Sequence, residues 1–186
     1  MSNYCILGTG RQGTAALYDI ILYANPSSIL LIDSNGKSLK ICLDKVRKVM
    51  NDNVKINYEV IDISNKKLLI ELLKPYDIML SSVPYQFNLM LTDVAIQSKT
   101  SMVDLGGHTH NVIEQLKYHD KAISNGVSIV PDCGMGPGMN ISMALLAMEQ
   151  LDKPVDVYIW DGGLPKNPKP PWNYSLFFNV KGLTNE

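Results

Sequence analysis

Tyr4-Cys5-Ile6-Leu7-Gly8-Thr9-Gly10-Arg11-Gln12-Gly13 begins as a short apolar run and turns into a G-x-G-x-x-G pattern. Beyond it, Ala15, Leu17, Tyr18, Ile21 and Leu22 recur at helical spacing until Asn25-Pro26-Ser27 breaks the helix. A strand, a glycine turn and a helix in that order form the phosphate-binding opening of a dinucleotide fold. Gly8 turns the chain off the strand, Gly10 lets the backbone approach a pyrophosphate, and Gly13 lets the helix pack against the sheet. The first helical amides and the partial positive charge of the helix face the phosphates. Arg11 and Gln12 therefore join the three glycines as expected cofactor contacts.

Working outward, Ile29-Leu30-Leu31-Ile32 is a second buried strand, closed by Asp33 twenty residues after Gly13. A carboxylate there accepts hydrogen bonds from ribose hydroxyls and repels a 2′-phosphate, so NAD is expected in preference to NADP. Ser34 is assigned beside it. The plain alternative is that Asp33 only caps a turn or the next helix. A methyltransferase with a nucleoside cofactor can share the glycine-rich first loop and stays open at this point.

The alternation continues. Helix is expected over about 36–50, strand over Lys55–Ile61, helix over Asn65–Leu73 and strand over Asp77–Leu80. Helix follows over Gln86–Ser98, strand over Ser101–Leu105, helix over Val112–Ser124 and strand over Val127–Val130. Such a pattern predicts an α/β fold: a Rossmann doubly wound parallel sheet with helices on both faces. Residues 1–150 are read as the dinucleotide-binding domain. The remainder, 151–186, is read as a connecting strand and Gly/Pro-rich segment opening an incomplete, truncated second domain. Met139–Leu151 reads as a helix that is apolar almost all round and so buried on several sides, its methionines filling core or a subunit contact. Val155–Trp160 and Tyr174–Val180 read as strands flanking Gly162-Gly163-Leu164-Pro165 to Pro170-Pro171.

Composition excludes several classes. A net charge of −1 gives no basic field for nucleic acid or anionic lipid, and the expected partner is a small molecule. No run of about 18 apolar residues exists to span a membrane. Cys5, Cys42 and Cys133 are odd in number and far apart, which predicts reduced thiols in a cytoplasmic protein. The N-terminus carries no basic region or cleavage site, so no signal peptide is expected.

Further candidates lie at the strand ends. Asp62 is placed to meet an adenine amino group or to cap the next helix. Ser82, Val83 and Pro84 follow the fourth strand on the switch-point side, where the middle and nicotinamide half of the cofactor belong. Asp132 follows a strand at its C-terminal end. It is a candidate for an ammonium-binding or basic group, against a turn residue satisfied by backbone. Tyr85 and Asp104 are further candidates. Cys133 reads as a small packed residue, and His108 and His110 as a solvated helix start, since no acid or cysteine cluster completes a metal site.

From Met102 onward the loops resemble the saccharopine dehydrogenase superfamily. The carriers are Val103-Asp104-Leu105-Gly106-Gly107, Val130-Pro131-Asp132-Cys133-Gly134-Met135-Gly136-Pro137-Gly138-Met139-Asn140, and Gly162-Gly163-Leu164-Pro165 with Pro168, Pro170-Pro171 and Tyr174. Gly182-Leu183 and Glu186 extend the likeness. The second and third stretches look most like lysine 6-dehydrogenases. The resemblance implies an N-terminal Rossmann domain, a second α/β domain that supplies dimer contacts, and therefore a homodimer. It implies NAD-dependent oxidoreduction at a carbon bearing nitrogen in an amino-acid substrate, with a hydride leaving that carbon and an imine forming. In that family Val83-Pro84-Tyr85 and Leu105-Gly106-Gly107 match loops lining nicotinamide and substrate, and Gly134-Met135-Gly136 a loop near the nicotinamide end. Asp132 and Tyr85 are the residues assigned to catalysis, and no metal is expected. The rival is a cofactor-binding module without turnover, since the family continues with a long second domain beyond the position of Glu186.

Overall fold

A computed structural model describes residues 2–50, 54–160, 162–163, 165–171 and 173 of the chain. Two compact units make it up, Met1–Asp132 and Cys133–Glu186. Among the described residues the first unit holds six strands: β1 Asn3–Leu7, β2 Ser28–Asp33, β3 Lys55–Val60, β4 Ile78–Ser81, β5 Ser101–Asp104 and β6 Ile129–Val130. Its helices are α1 Arg11–Tyr23, α2 Gly36–Val46, α3 Lys66–Leu73, α4 Asn88–Ser98, α5 Thr109–Leu116 and α6 His119–Asn125, with a 3-10 turn at Tyr85–Phe87. All strand pairs are parallel, in the order β3-β2-β1-β4-β5-β6. This is the doubly wound Rossmann order. The chain reverses its direction of winding between β1 and β4, and at such a switch point the crevice in which this fold class takes a ligand lies outside the C-terminal ends of the strands.

The apolar runs explain the layers. In a strand successive side chains face opposite ways, and here both faces are covered. Along β1 and β2, Cys5, Leu7, Leu30 and Ile32 pack with Leu69, Leu73, Leu91 and Val94 of α3 and α4. Ile6, Ile29 and Leu31 pack with Leu17, Ile21, Leu39, Cys42 and Val46 of α1 and α2. A strand buried twice reads as a continuous apolar run.

Several boundaries differ from the sequence expectation. The buried stripe of α1 is Gly13, Thr14, Leu17 and Ile21, while Tyr18 and Leu22 are exposed. Helix α2 stops at Val46, and Val49 and Met50 both bond back to the Val46 carbonyl. The single helix expected over Val112–Ser124 is two. At Lys117 and Tyr118 the amides bond the third residue back, to Glu114 and Gln115, which tightens and ends α5 before α6 begins. Strand β6 keeps only two residues.

In the second unit, α7 spans Met139–Met148 and has no buried residue. Met143, Leu145 and Leu146 are each more than half exposed, so the burial expected from its composition is not provided by the described part of the chain. Val155–Trp160 joins no ladder and is not a strand; Trp160 is 91 % exposed. The expected strand at Tyr174–Val180, and Leu164, Gly182-Leu183 and Glu186, lie outside the described residues.

Candidate functional site

The glycine loop leaves β1 at the crevice. Gly8 donates its amide to the Ile32 carbonyl at 2.8 Å, tying the turn to the end of β2. A Cβ at Gly13 would overlap the Gly8 carbonyl oxygen and lie 2.7 Å from Ser82 Oγ, so the start of α1 sits where only glycine fits. Gly10 is different: a Cβ there would meet nothing within 4 Å. It is the N-cap of α1, no described side chain caps it, and the first helical bond is Thr14 N to Gly10 O at 3.0 Å. The amides of Arg11, Gln12 and Gly13 come before that bond, at the positive end of the helix. Arg11 and Gln12 are exposed beside them. A pyrophosphate fits this ground: bare amides, a favourable dipole and open space over Gly10.

Asp33 closes β2 and is half-buried. Its Oδ2 accepts from both the amide and the hydroxyl of Thr9, each at 2.8 Å. Its Oδ1 accepts from Asn35 N at 2.8 Å, and Asn35 in turn caps α2 through Lys37 N. The acid therefore faces the glycine loop and shapes it; Oδ2 already holds two donors, while Oδ1, with one, has a lone pair left for a sugar hydroxyl. The turn role weighed for Asp33 is present, and the same carboxylate faces the glycine loop. Thr9, only 3 % exposed, was not singled out by sequence reasoning. Its position between two motif glycines opposite Asp33 was the available signal. Ser34 is exposed next to Asp33.

On the other wall, Ser82 Oγ lies 2.8 Å from Leu7 O and 2.6 Å from Gly8 O, so its hydroxyl braces the glycine loop. Val83 is half-buried against the core, and Pro84 leads into the turn carrying Tyr85. The Tyr85 ring stacks on His108, with centroids 5.3 Å apart and planes 9° from parallel, and Asn111 Nδ2 donates to the Tyr85 carbonyl. His108 stands at the expected helix start, as the N-cap of α5, but is a half-buried stacking partner with Nδ1 buried and unpartnered and not a solvated residue. His110 meets its edge and is exposed.

Asp104 ends β5 fully buried. Its Oδ1 accepts from Gly106 N at 2.8 Å and Asp132 N at 3.2 Å, and its Oδ2 from Gln115 Nε2 at 2.8 Å. The structure gives Asp104 the work of an internal brace; its side chain has no surface turned to the crevice. Gln115, missed in the sequence, also donates to Thr92, and Ser81 and Asn88 continue a polar chain through the core. Asp132, after β6, is half-buried at φ 59 and receives the Gly107 amide. Desolvation first, and the Asp104 charge second, push its carboxyl above the ordinary aspartate range; the Gly107 amide opposes them. Gly106 has φ 71, and a Cβ on it would overlap Asp132 Oδ1. Tyr85 lies 3.3 Å from where a Gly107 Cβ would be. Tyr85, Leu105, Gly106, Gly107, His108 and Asp132 therefore form one wall at the ends of β4, β5 and β6.

Asp62 is exposed and accepts from Ser64 N at 2.8 Å, forming the turn before α3; that bond lowers its carboxyl below the usual range. The cap of α3 is Asn65. Met135 is exposed within the second unit, in the loop whose Gly134 and Met135 carbonyls accept from Met139 and Asn140. Cys133 is half-buried. Among the described residues no cluster of three metal-ligating side chains exists, and no helix is long and apolar enough to cross a membrane.

Fold and loop together define a pyridine-nucleotide-binding Rossmann domain. The model of the saccharopine dehydrogenase NADP binding domain family matches residues 4–130, and the chain belongs to that family. Its fold is similar to that of apo saccharopine dehydrogenase (L-Glu forming) from Saccharomyces cerevisiae. The TM-score is 0.64 at 15 % identity, over 81 % of this chain and 31 % of the yeast chain. Scyllo-inositol dehydrogenase from Lactobacillus casei, solved with NAD(H) and scyllo-inositol, aligns at TM-score 0.56 and 11 % identity over 81 % of this chain and 41 % of its own. Shikimate 5-dehydrogenase from Mycobacterium fortuitum aligns at 0.52 and 13 % over 70 % and 44 %. The chain thus spans less than half the length of these three proteins.

Proposed function

We propose that this chain is the cofactor-binding part of an NAD-dependent oxidoreductase of the saccharopine dehydrogenase or lysine 6-dehydrogenase type, acting at a carbon bearing nitrogen in an amino-acid substrate. The observation that carries the cofactor choice is Asp33, whose carboxylate stands at the end of β2 against the glycine loop. A negative charge there suits ribose hydroxyls and opposes a 2′-phosphate. In this reading Gly8, Gly10, Arg11, Gln12 and Gly13 hold the pyrophosphate, Asp33 and Ser34 the adenosine ribose, and Asp62 the adenine. Ser82, Val83 and Pro84, with Leu105 and Gly106, border the nicotinamide half; Asp104 serves them from within. The bound nicotinamide supplies hydride acceptance.

The rest is the work of the chain. Asp132 takes the proton from the substrate nitrogen, a role supported by its raised carboxyl and its place at the wall of the crevice. Tyr85, steadied by His108, orients the substrate. Buried thiols at Cys5 and Cys42 support a reducing, cytoplasmic setting, and the apolar α7 supports pairing with a second copy. Calorimetry with NADH, NADPH and S-adenosylmethionine tests the cofactor; tighter binding of NADPH than NADH would refute the role of Asp33. Reduction of NAD by lysine or saccharopine, followed at 340 nm, tests turnover. The 31 % span of the yeast enzyme favours one second reading, a binding module whose turnover needs further polypeptide. Under it NADH binds but absorbance at 340 nm stays flat.

A further inference from the structure

We propose that Asp104 is a positioning residue for Asp132, clamping the turn after β5 to the end of β6 so that the Asp132 carboxyl group stands as the proton-handling group of the crevice. The proposal rests on the oxidoreductase reading for what the proton is used for, and on the chain alone for the clamp.

Two carboxyl groups grip one turn. From inside, Asp104 Oδ1 takes the amides of Gly106 and Asp132, while Oδ2 takes Gln115 Nε2. From outside, the Asp132 carboxylate takes the amide of Gly107. All three partners of Asp104 are N–H donors, which suits a group that accepts at both oxygens. The same bonds hold Asp132 at φ 59, a backbone region a non-glycine residue occupies at a cost of about 1–2 kcal/mol. They press its Oδ1 against Gly106, where a side chain would collide. Strain of this kind persists only where neighbouring bonds enforce it.

Placement also sets chemistry. Buried negative charge next to a half-buried carboxyl group disfavours ionisation of the second group. Desolvation is the larger cause at Asp132, the Asp104 carboxylate adds to it, and the Gly107 amide opposes both. Tyr85 and His108 stack beyond Gly107. Asp132 therefore keeps its proton to higher pH than an ordinary aspartate, as a group that takes up and returns a proton should.

The test is an NMR titration of the full chain with labelled carboxyl groups and amides, in the unmutated protein, Asp104→Asn and Asp132→Asn. In the unmutated chain the Gly107 amide reports Asp132, because it donates to that carboxylate, and its midpoint is expected above that of an ordinary aspartate. Asp104→Asn should lower the midpoint, and Asp132→Asn should abolish the transition. The asparagine can keep the Gly106 and Asp132 amides on its oxygen. Its new NH2 can be met by Gln115 Oε1, which is buried and unpartnered, after a flip of that side chain. A melting curve checks folding; should Asp104→Asn not fold, hydrogen exchange of the Gly106 and Asp132 amides in the unmutated chain decides, slow exchange at both being expected and exchange as fast as that of an open loop overturning the clamp. A Gly107 midpoint at or below the ordinary value, or one that a folded Asp104→Asn leaves unmoved, overturns the proposal. Failure to reduce NAD with these midpoints intact would refute the oxidoreductase reading and leave the clamp standing.

Discussion

Asp33 carries two loads through one carboxyl group: it ties Thr9 to the end of β2 and, in the proposed function, receives the ribose. Asp33→Ala removes both, so NADH should bind more weakly by about 1–3 kcal/mol, and any preference over NADPH should shrink; titration calorimetry reads both. Gly13→Ala should be worse for the fold than for the surface. Its Cβ would overlap the Gly8 carbonyl, and the backbone can yield only by moving α1 off the sheet. A loss of about 1–3 kcal/mol by denaturant unfolding is expected. Asp132 gives a pH signature. Its folded carboxyl sits above the ordinary value, so the chain gains stability from it at low pH and loses that gain as pH rises through the folded value. Asp132→Asn should therefore melt higher than the unmutated chain at neutral pH, with the gap closing as pH falls below the ordinary aspartate range. The glycine loop and Asp33 were legible because one local pattern specifies them. The clamp was not: Asp104 finds its partners eleven and 28 residues away, and neither spacing marks a motif.

Element type was readable where burial is two-sided. Strands β1 and β2 announce themselves as unbroken apolar runs because α1 and α2 cover one face and α3 and α4 the other. Ends were less readable, since they depend on where the neighbours need the chain to turn. No glycine or proline marks the break between α5 and α6; Gln115 is held inward by Asp104 and Thr92, and Tyr118 restarts the chain against Ile96 and Val127. Lys121 of α6 then reaches Asp93 of α4 at 2.8 Å, an ion pair exposed enough that its loss should leave the melting temperature nearly unchanged. The C-terminus of α4 offers a clearer gain. Lys99 caps it at φ 60, its amide bonding Ala95 and Ile96, and the residue is exposed. Lys99→Gly removes the steric penalty of that conformation and should stabilise the chain by about 1 kcal/mol, measured as a higher melting temperature.

At the scale of the whole molecule, α7 is the feature least at home in water. Met139, Ile141, Met143, Leu145 and Leu146 are all exposed on it, and apolar area of that kind is normally covered. Light scattering should find particles of at least twice the 20.7 kDa chain mass, and Met143→Asp with Leu146→Asp should return them to one chain. Particles of single-chain mass before substitution would remove the pairing from the proposed function. The hydroxyl and amide of Thr9, drawn to one carboxylate oxygen, have a kinetic corollary. The chain itself supplies the bonds that mould the glycine loop, so in the proposed function, where that loop is the diphosphate cradle, little disorder has to be frozen out when a nucleotide arrives. Stopped-flow capture should then follow a single exponential whose rate climbs in proportion to nucleotide concentration, whereas Thr9→Val, with the hydroxyl gone, should add a slower, concentration-independent phase as the cradle closes after contact.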